Sequence, residues 1–407
     1  MGLLISGLIF SSFHLSQAQV SSELTWSTYF GEANFTFTDN AVDSDDNLIL
    51  VGKGFQSGFP SYDPAGGAYF NASPIGSDDG LIAKFDAQGQ RIWATYYGSS
   101  GGDHIEGVAV NSQDHIIVVG DGGGGSFPLV DPGNGAYYDD SRSGVDGLIT
   151  RFDERGQVLW STYFGGSGND YITEVVIAEN DNFWIAGYTR SSDFPTQWKA
   201  GAYFDGSLGG ARDWFIAKFS ANGKLLYSTY YGDSQNSDFA YSLAYSESNG
   251  HVAVCGRLEG IPSNLTPSGA YASPWSQQGM IVEFDSTGQR LWATRFLSGQ
   301  IAFDDNGNLF YGAAWPYTYS GSVPLVNPGN GALFQGYPSF VNRANTGVHY
   351  FAKFNTNHAM VWGTCAHQSA NANQAVSVYD IEIDKNDNLV AVGRATHGMY
   401  RVNPGGF

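Results

Sequence analysis

The stretch Leu81-Ile-Ala-Lys-Phe-Asp86-Ala-Gln-Gly89-Gln-Arg-Ile-Trp93-Ala-Thr-Tyr-Tyr-Gly98 decides the fold. Apolar and polar residues alternate on both sides of Asp86-Ala-Gln-Gly89. That is the pattern of two short strands joined by a tight turn whose glycine supplies the left-handed position. The same stretch recurs at 148–165, 215–232, 280–297 and, more worn, at 350–364. Trp26, Trp93, Trp160, Tyr227, Trp292 and Trp362 hold one equivalent position, with separations of 67, 67, 67, 65 and 70 residues. A period this regular marks an array of structural units.

Each period carries a second hairpin, at 42–52, 108–120, 175–187, 243–256, 301–312 and 381–393, read here as the outer pair of its unit. Four strands per period without a helical repeat predict an all-β chain, a six-bladed β-propeller of four-stranded blades. A β-helix has shorter rungs and no paired hairpins. The ends carry half-units: Leu24-Thr-Trp26-Ser-Thr-Tyr-Phe30 is a lone second strand and Met399-Tyr-Arg-Val-Asn403 a lone first strand. Pairing strand 24–30 with strand 399–403 completes one blade and removes both open edges. Seven blades are the less favoured count.

The repeat makes residues 19–407 a single domain. Residues 3–15 are apolar and end in Ser16-Gln17-Ala18, a small-x-small cleavage pattern, so 1–18 reads as a secretory signal peptide. The net charge of -20 and the absence of a Lys/Arg cluster argue against nucleic acid. No other segment is long and apolar enough to span a bilayer. A soluble, monomeric, exported propeller is expected. Cys255 and Cys365 fall in blades read as separated by an intervening repeat, which predicts two buried free thiols.

Between the hairpins run long connectors with recurring anchors: Phe59-Pro60 and Gly67-Ala-Tyr-Phe70, Phe127-Pro128 and Gly135-Ala-Tyr-Tyr138, Phe194-Pro195 and Gly201-Ala-Tyr-Phe204. Recurrence assigns these to packing. With Phe-Ile-Ala-Lys-Phe at 215–219, Trp160-Ser-Thr-Tyr-Phe-Gly-Gly166, and Gly187-Tyr-Thr followed by Asp193-Phe-Pro195, the chain resembles the bacterial SBBP β-propeller repeat over about residues 24–403. The resemblance implies a propeller from an exported bacterial protein, often of surface or adhesion type with further modules. That family is usually described as seven-bladed, against the six counted here, and it has no catalytic motif to carry over.

Three kinds of residue are candidates for chemistry. The turns Asp43-Ser-Asp45-Asp-Asn47, Asp304-Asp-Asn306-Gly-Asn308 and Asp384-Lys-Asn386-Asp-Asn388 open like calcium loops but lack the closing acidic ligand, and turn chemistry accounts for them. Asp79, Asp146 and Asp213 share one position and form half a carboxylate ring, a metal site if they meet at the central mouth. Trp198, Trp275, Trp315, Tyr317 and Tyr319 are extra aromatics in the later connectors, a stacking surface for a sugar or protein if they share a face. Calcium is the one ion the pattern admits, and no organic cofactor is expected; Asp86-x-x-Gly89-x-x-x-Trp93 is better explained as a turn and an interblade wedge than as quinone docking.

No metalloprotease or phosphate-loop motif is present. The expectation is therefore a non-enzymatic binding or adhesion propeller engaging a glycan or surface protein through one face. The alternative is a glycan-acting hydrolase or lyase with carboxylates at the central mouth. Convergent carboxylates with perturbed acidity favour the second reading, and an aromatic patch favours the first.

Overall fold

The computed structural model describes residues 30, 34–55, 57–232, 238–258, 267–272, 279–316, 324–327, 347–366, 376–384 and 387–395. These form five four-stranded antiparallel sheets and one two-stranded sheet. Sheet one comprises β1 (Phe35–Val42), β2 (Leu48–Gly54), β3 (Asp79–Phe85) and β4 (Arg91–Tyr97). Sheet two comprises β5 (Asp103–Val110), β6 (Ile116–Gly122), β7 (Asp146–Phe152) and β8 (Val158–Phe164). Sheet three comprises β9 (Asp170–Ile177), β10 (Phe183–Thr189), β11 (Asp213–Phe219) and β12 (Leu225–Tyr231). Sheet four comprises β13 (Phe239–Tyr245), β14 (Val252–Arg257), β15 (Gly279–Phe284) and β16 (Arg290–Phe296). Sheet five comprises β17 (Gln300–Phe303), β18 (Leu309–Pro316), β19 (Gly347–Phe354) and β20 (Met360–Ala366), and sheet six β21 (Val376–Ile383) and β22 (Leu389–Ala395).

Within each sheet the strands pair in chain order, and the first strand of each sheet touches the first strand of the next: β1 to β5, β5 to β9, β9 to β13, β13 to β17, β17 to β21. This is propeller architecture, with first strands around an axis and fourth strands at the rim. It corrects one sequence reading. The hairpins taken as outer supply the axial strands, and those strands begin several residues before the alternating apolar run. Residues 35–41, ahead of the hairpin placed at 42–52, already belong to β1.

Among the described residues, five of the six apolar clusters span two adjacent sheets. One holds Trp93 and Tyr97 of sheet one with Ile105, Phe152 and Tyr163 of sheet two, and another holds Trp292 and Phe296 of sheet four with Tyr311 and Tyr350 of sheet five. Cys255 and Cys365 are buried, free and in that second cluster. Their sheets are therefore neighbours, which corrects the intervening-repeat reading. Burial pushes the two thiols up, to about 12 and about 11, so both are inert.

The periodic Trp explains the connectors. Trp93 Nε1–H donates to the Tyr69 carbonyl at 2.9 Å, and Tyr69 N–H donates to the Gly156 carbonyl in the β7–β8 turn of the next sheet at 2.8 Å. Gly156 has φ 87°, and a Cβ there would lie 3.0 Å from the Trp93 ring, so the turn and the ring both require glycine. The relay repeats as Trp160 to Tyr137 to Gly223, Tyr227 to Tyr203 to Gly288, and Trp292 to Tyr271 to His358. Connectors also add a bridge to the rim strand of their own sheet, Tyr62 on Ala94, Val130 on Ser161, Gln197 on Ser228 and Val326 on Gly363, which shields the edge.

Phe30 packs on Phe59 at 5.3 Å and Phe85 at 4.8 Å, as Phe164 packs on Phe194 and Phe219 at 5.0 and 5.3 Å two sheets later. The remainder of strand 24–30, strand 399–403 and residues 1–18 lie outside the described residues.

Replacing Trp160 with Ala should destabilise the protein by about 3–5 kcal/mol, because a fully buried wedge leaves a cavity between two sheets. Trp160→Phe should cost only about 1–3 kcal/mol, the penalty for an unanswered Tyr137 carbonyl plus lost packing. Urea midpoints of the two variants measure the difference.

Candidate functional site

The positions nearest the axis are where the sheets disagree, so the repeat scaffold does not dictate them. At one register the cross-strand pairs are Thr36 with Lys53, His104 with Asp121, Tyr171 with Tyr188, and Phe239 with Arg257. A bulge follows in five axial strands, at Thr38, Glu106, Thr173, Tyr241 and Tyr379. Bulges twist a strand and re-aim side chains, and they recur beside functional sites. The next ring reads Asp39, Gly107, Glu174, Ser242, Ile301 and Asp380.

At the mouth, Tyr171 and Tyr188 stack with centroids 4.8 Å apart. Arg212 lies 5.0 Å from the Tyr188 ring and 3.9 Å from Phe239, and Phe239 runs nearly parallel to Tyr241 at 6.0 Å. Tyr241 is 41% exposed, so this aromatic row, with one guanidinium inside it, is open to a ligand. Beside it stands an acidic group. His104 Nε2 is 2.6 Å from Asp78 and its Nδ1 3.3 Å from Asp121, while Glu106 pairs with Lys53 at 2.8 Å. The Asp121 hydrogen bond, helped by Asp78, raises His104 to about 9 against the opposing effect of burial, so the ring is an imidazolium at neutral pH. The two groups adjoin, since the charges of Asp121 and Glu106 add to burial and Tyr171 in pushing Tyr188 up to about 12.

One step along the axis, carboxyl groups of three sheets converge. Asp39 accepts from Val108 N–H of the next sheet at 2.7 Å, and Thr38 Oγ1 donates to the Ile105 carbonyl at 2.7 Å. Burial, with the charges of Asp380 and Glu382 adding to it, raises Asp39 to about 7. Burial and the charges of Asp39 and Asp380 push Glu174 well above the carboxylate range, while burial raises Asp380 to about 6 and, with Asp380, Glu382 to about 7. Glu382 nevertheless touches solvent, the situation of a group lining a narrow channel.

The candidates from sequence lie elsewhere. Asp79, Asp146 and Asp213 open the third strands β3, β7 and β11, two strands from the axis, and the structure does not gather them at the mouth. Each is buried and accepts backbone N–H groups of its own connector: Ile75 at 2.6 Å for Asp79, Ser143 at 3.2 Å for Asp146, Gly209 at 2.8 Å for Asp213. Burial, aided by the charge of Asp170, lifts Asp146 to about 7, and burial lifts Asp103 to about 6 with Asp79 contributing. Trp198 is 61% exposed beside Gln197 at the rim of sheet three. Trp275, Tyr317, Tyr319 and the Trp315 side chain lie outside the described residues. Asp43 accepts from Asp45 and Asn47 N–H groups and pairs with Lys84 at 2.8 Å; Asp304 likewise pairs with Lys353 at 2.8 Å. Sequence reading missed Tyr171, Tyr188, Phe239 and Tyr241 because their strands were cut short. The signal that finds them is disagreement between copies at one register.

No known family profile matches the chain. It is 27% identical over 226 residues to the regulatory protein FlaEY of Caulobacter vibrioides, across 50% of this chain and 22% of that one. It is 23% identical over 335 residues to an uncharacterized WD repeat-containing protein of Acanthamoeba polyphaga mimivirus, across 68% of this chain and 23% of that one. The chain thus spans less than a quarter of the length of these relatives. Among solved structures, a putative gluconolactonase overlays with a TM-score of 0.39 at 10% identity, covering 97% of this chain and 96% of that one. The Pan2 WD40 domain of Neurospora crassa gives 0.37 at 9% identity over 90% of each chain. Overlays this loose carry no weight, and the chain's own strand order and contacts define it as a β-propeller-type repeat protein.

The channel carboxyls have folded pKa values above their unfolded ones, so their contribution to stability is complete in acid and is lost as pH rises through about 6 to 7. The melting temperature should fall from about pH 4, where the unfolded carboxyls ionise, to about pH 7, and level off above that. Paired Asp39→Asn and Glu382→Gln substitutions should flatten that slope in calorimetry, and an unchanged slope would refute the convergence.

Proposed function

We propose that the chain is an exported, non-enzymatic binding or adhesion propeller of six blades, holding a glycan or protein partner at the mouth of its channel. The observation that carries this reading is the row Tyr171, Tyr188, Phe239 and Tyr241, with Arg212 between rings, on positions the repeat leaves undetermined. Stacked aromatic faces with an embedded cation suit a sugar ring or an aromatic-rich protein surface. The apolar leader at 1–18 fits a secreted, cell-surface or periplasmic location.

Six blades require strand 399–403 to pair with strand 24–30. Phe30 supports this, since it fills against sheet one the place that Phe164 fills against sheet three. Removing residues 396–407 from the mature protein should lower its melting temperature and promote aggregation through the opened edge. An unchanged melting temperature would sink the closure.

The second reading, a glycan-acting hydrolase or lyase, is favoured by the channel carboxyls, whose raised pKa values suit a general acid near neutral pH. One experiment separates the two. The mature protein and its Tyr188→Ala, Tyr241→Ala and Asp39→Asn variants are screened on a glycan array for binding and turnover. The binding reading expects retention without cleavage, weakened about tenfold or more by either tyrosine substitution. Cleavage abolished by Asp39→Asn would establish the enzyme instead.

A further inference from the structure

We infer that His104, Glu106 and Asp121 form a binding site for a divalent transition-metal ion of the zinc or manganese class at the channel mouth. Their ligand atoms lie within 4.8 Å of one another. Ligands about 2.0–2.2 Å from one ion stand at most about 4.4 Å apart, so only a small closure is needed. His104 and Glu106 sit two residues apart on β5, and Asp121 faces His104 across the β5–β6 ladder, so one rigid sheet presents all three. Glu106 is on the bulge with its side chain 26% exposed, which makes it the arm able to swing inward.

The surroundings are those of a metal-binding histidine. Asp78 accepts from His104 Nε2 at 2.6 Å, the outer carboxylate that orients the ring and turns Nδ1 towards Asp121. The equivalent positions are Thr36, Thr38 and Lys53 in sheet one, Tyr171, Thr173 and Tyr188 in sheet three, and Phe239, Tyr241 and Arg257 in sheet four. No fold requirement therefore explains three ligands meeting in sheet two. One imidazole with two carboxylates suits zinc or manganese, whereas calcium takes oxygen ligands. Binding is an exchange in which the metal replaces the Nδ1 proton and Glu106 leaves Lys53. Three protein ligands keep a further position open for water or a bound molecule.

The test uses the full chain stripped with a chelator, titrated with zinc by calorimetry and with cobalt by visible absorption. One saturable equivalent is expected, with a cobalt d–d band. His104→Ala and Asp121→Asn should each weaken zinc at least tenfold and erase the band, and Asp78→Asn should weaken it about 10–100-fold by loosening the ring. Should His104→Ala misfold by circular dichroism, Glu106→Gln on the exposed bulge provides the same readout, and His115→Ala should leave binding intact. Absence of saturable zinc binding, or wild-type affinity in both His104→Ala and Glu106→Gln, would overturn the site. Displacement of zinc by equimolar calcium would overturn the transition-metal assignment.

Discussion

The fold depends on one contact repeated around the axis, in which a rim-strand indole or phenol donates to a connector tyrosine whose own N–H caps the left-handed turn of the next sheet. A twisted four-stranded sheet cannot bury both faces alone, so neighbouring sheets must be held at a fixed spacing. Trp93 does this for sheets one and two, filling the gap while Tyr69 answers polar groups on both sides. At the junction of sheets four and five, His358 stands where the other turns have glycine. It adopts φ 62° and stacks on Trp292 at 4.9 Å. Its neighbour Glu283 replaces the Lys84 and Lys218 of other sheets and is held below the usual carboxylate range by His251 at 2.6 Å and His358 at 3.2 Å, which outweigh its burial. The staple thus tolerates new chemistry provided the shape and the hydrogen bonds survive.

Because the staples sit between sheets and at the rim, the axial residues are released from packing duty. Thr36, His104, Tyr171 and Phe239 share one register and have nothing chemical in common. The carboxyls Asp39, Glu174 and Asp380 share the next ring with Gly107, and a Cβ at Gly107 would stand 3.2 Å from Glu174 Oε1. Charge accumulates in the channel at a cost to stability, since each of these groups is desolvated and faces others of its own sign. Such a cost is commonly met at sites that do work.

Much of the architecture was legible in the chain. The Trp period located the repeat, Asp-x-x-Gly located its turn, and recurrence assigned Gly-Ala-Tyr to packing, all because shared structure leaves shared residues. The axial strands were less legible. Thr36, Thr38 and Asn40 alternate with Phe35, Phe37 and Asp39, and a half-exposed, bulged strand near the axis lacks the apolar run that marks a strand elsewhere. For that reason the hairpins were read as outer and the extra connector aromatics as the site.

The sequence by itself determined the unit and its period, because a hydrophobic pattern and a turn are local properties that each copy states independently. Only the tertiary structure decided which hairpin faces the axis, that Asp79, Asp146 and Asp213 are buried under their own connectors, and that Tyr188 meets Phe239 while Asp39 comes within electrostatic reach of Glu174 and Asp380. Those meetings join residues of different sheets. Their distances follow from how far one sheet rotates past the next, which packing between sheets sets and no local pattern records.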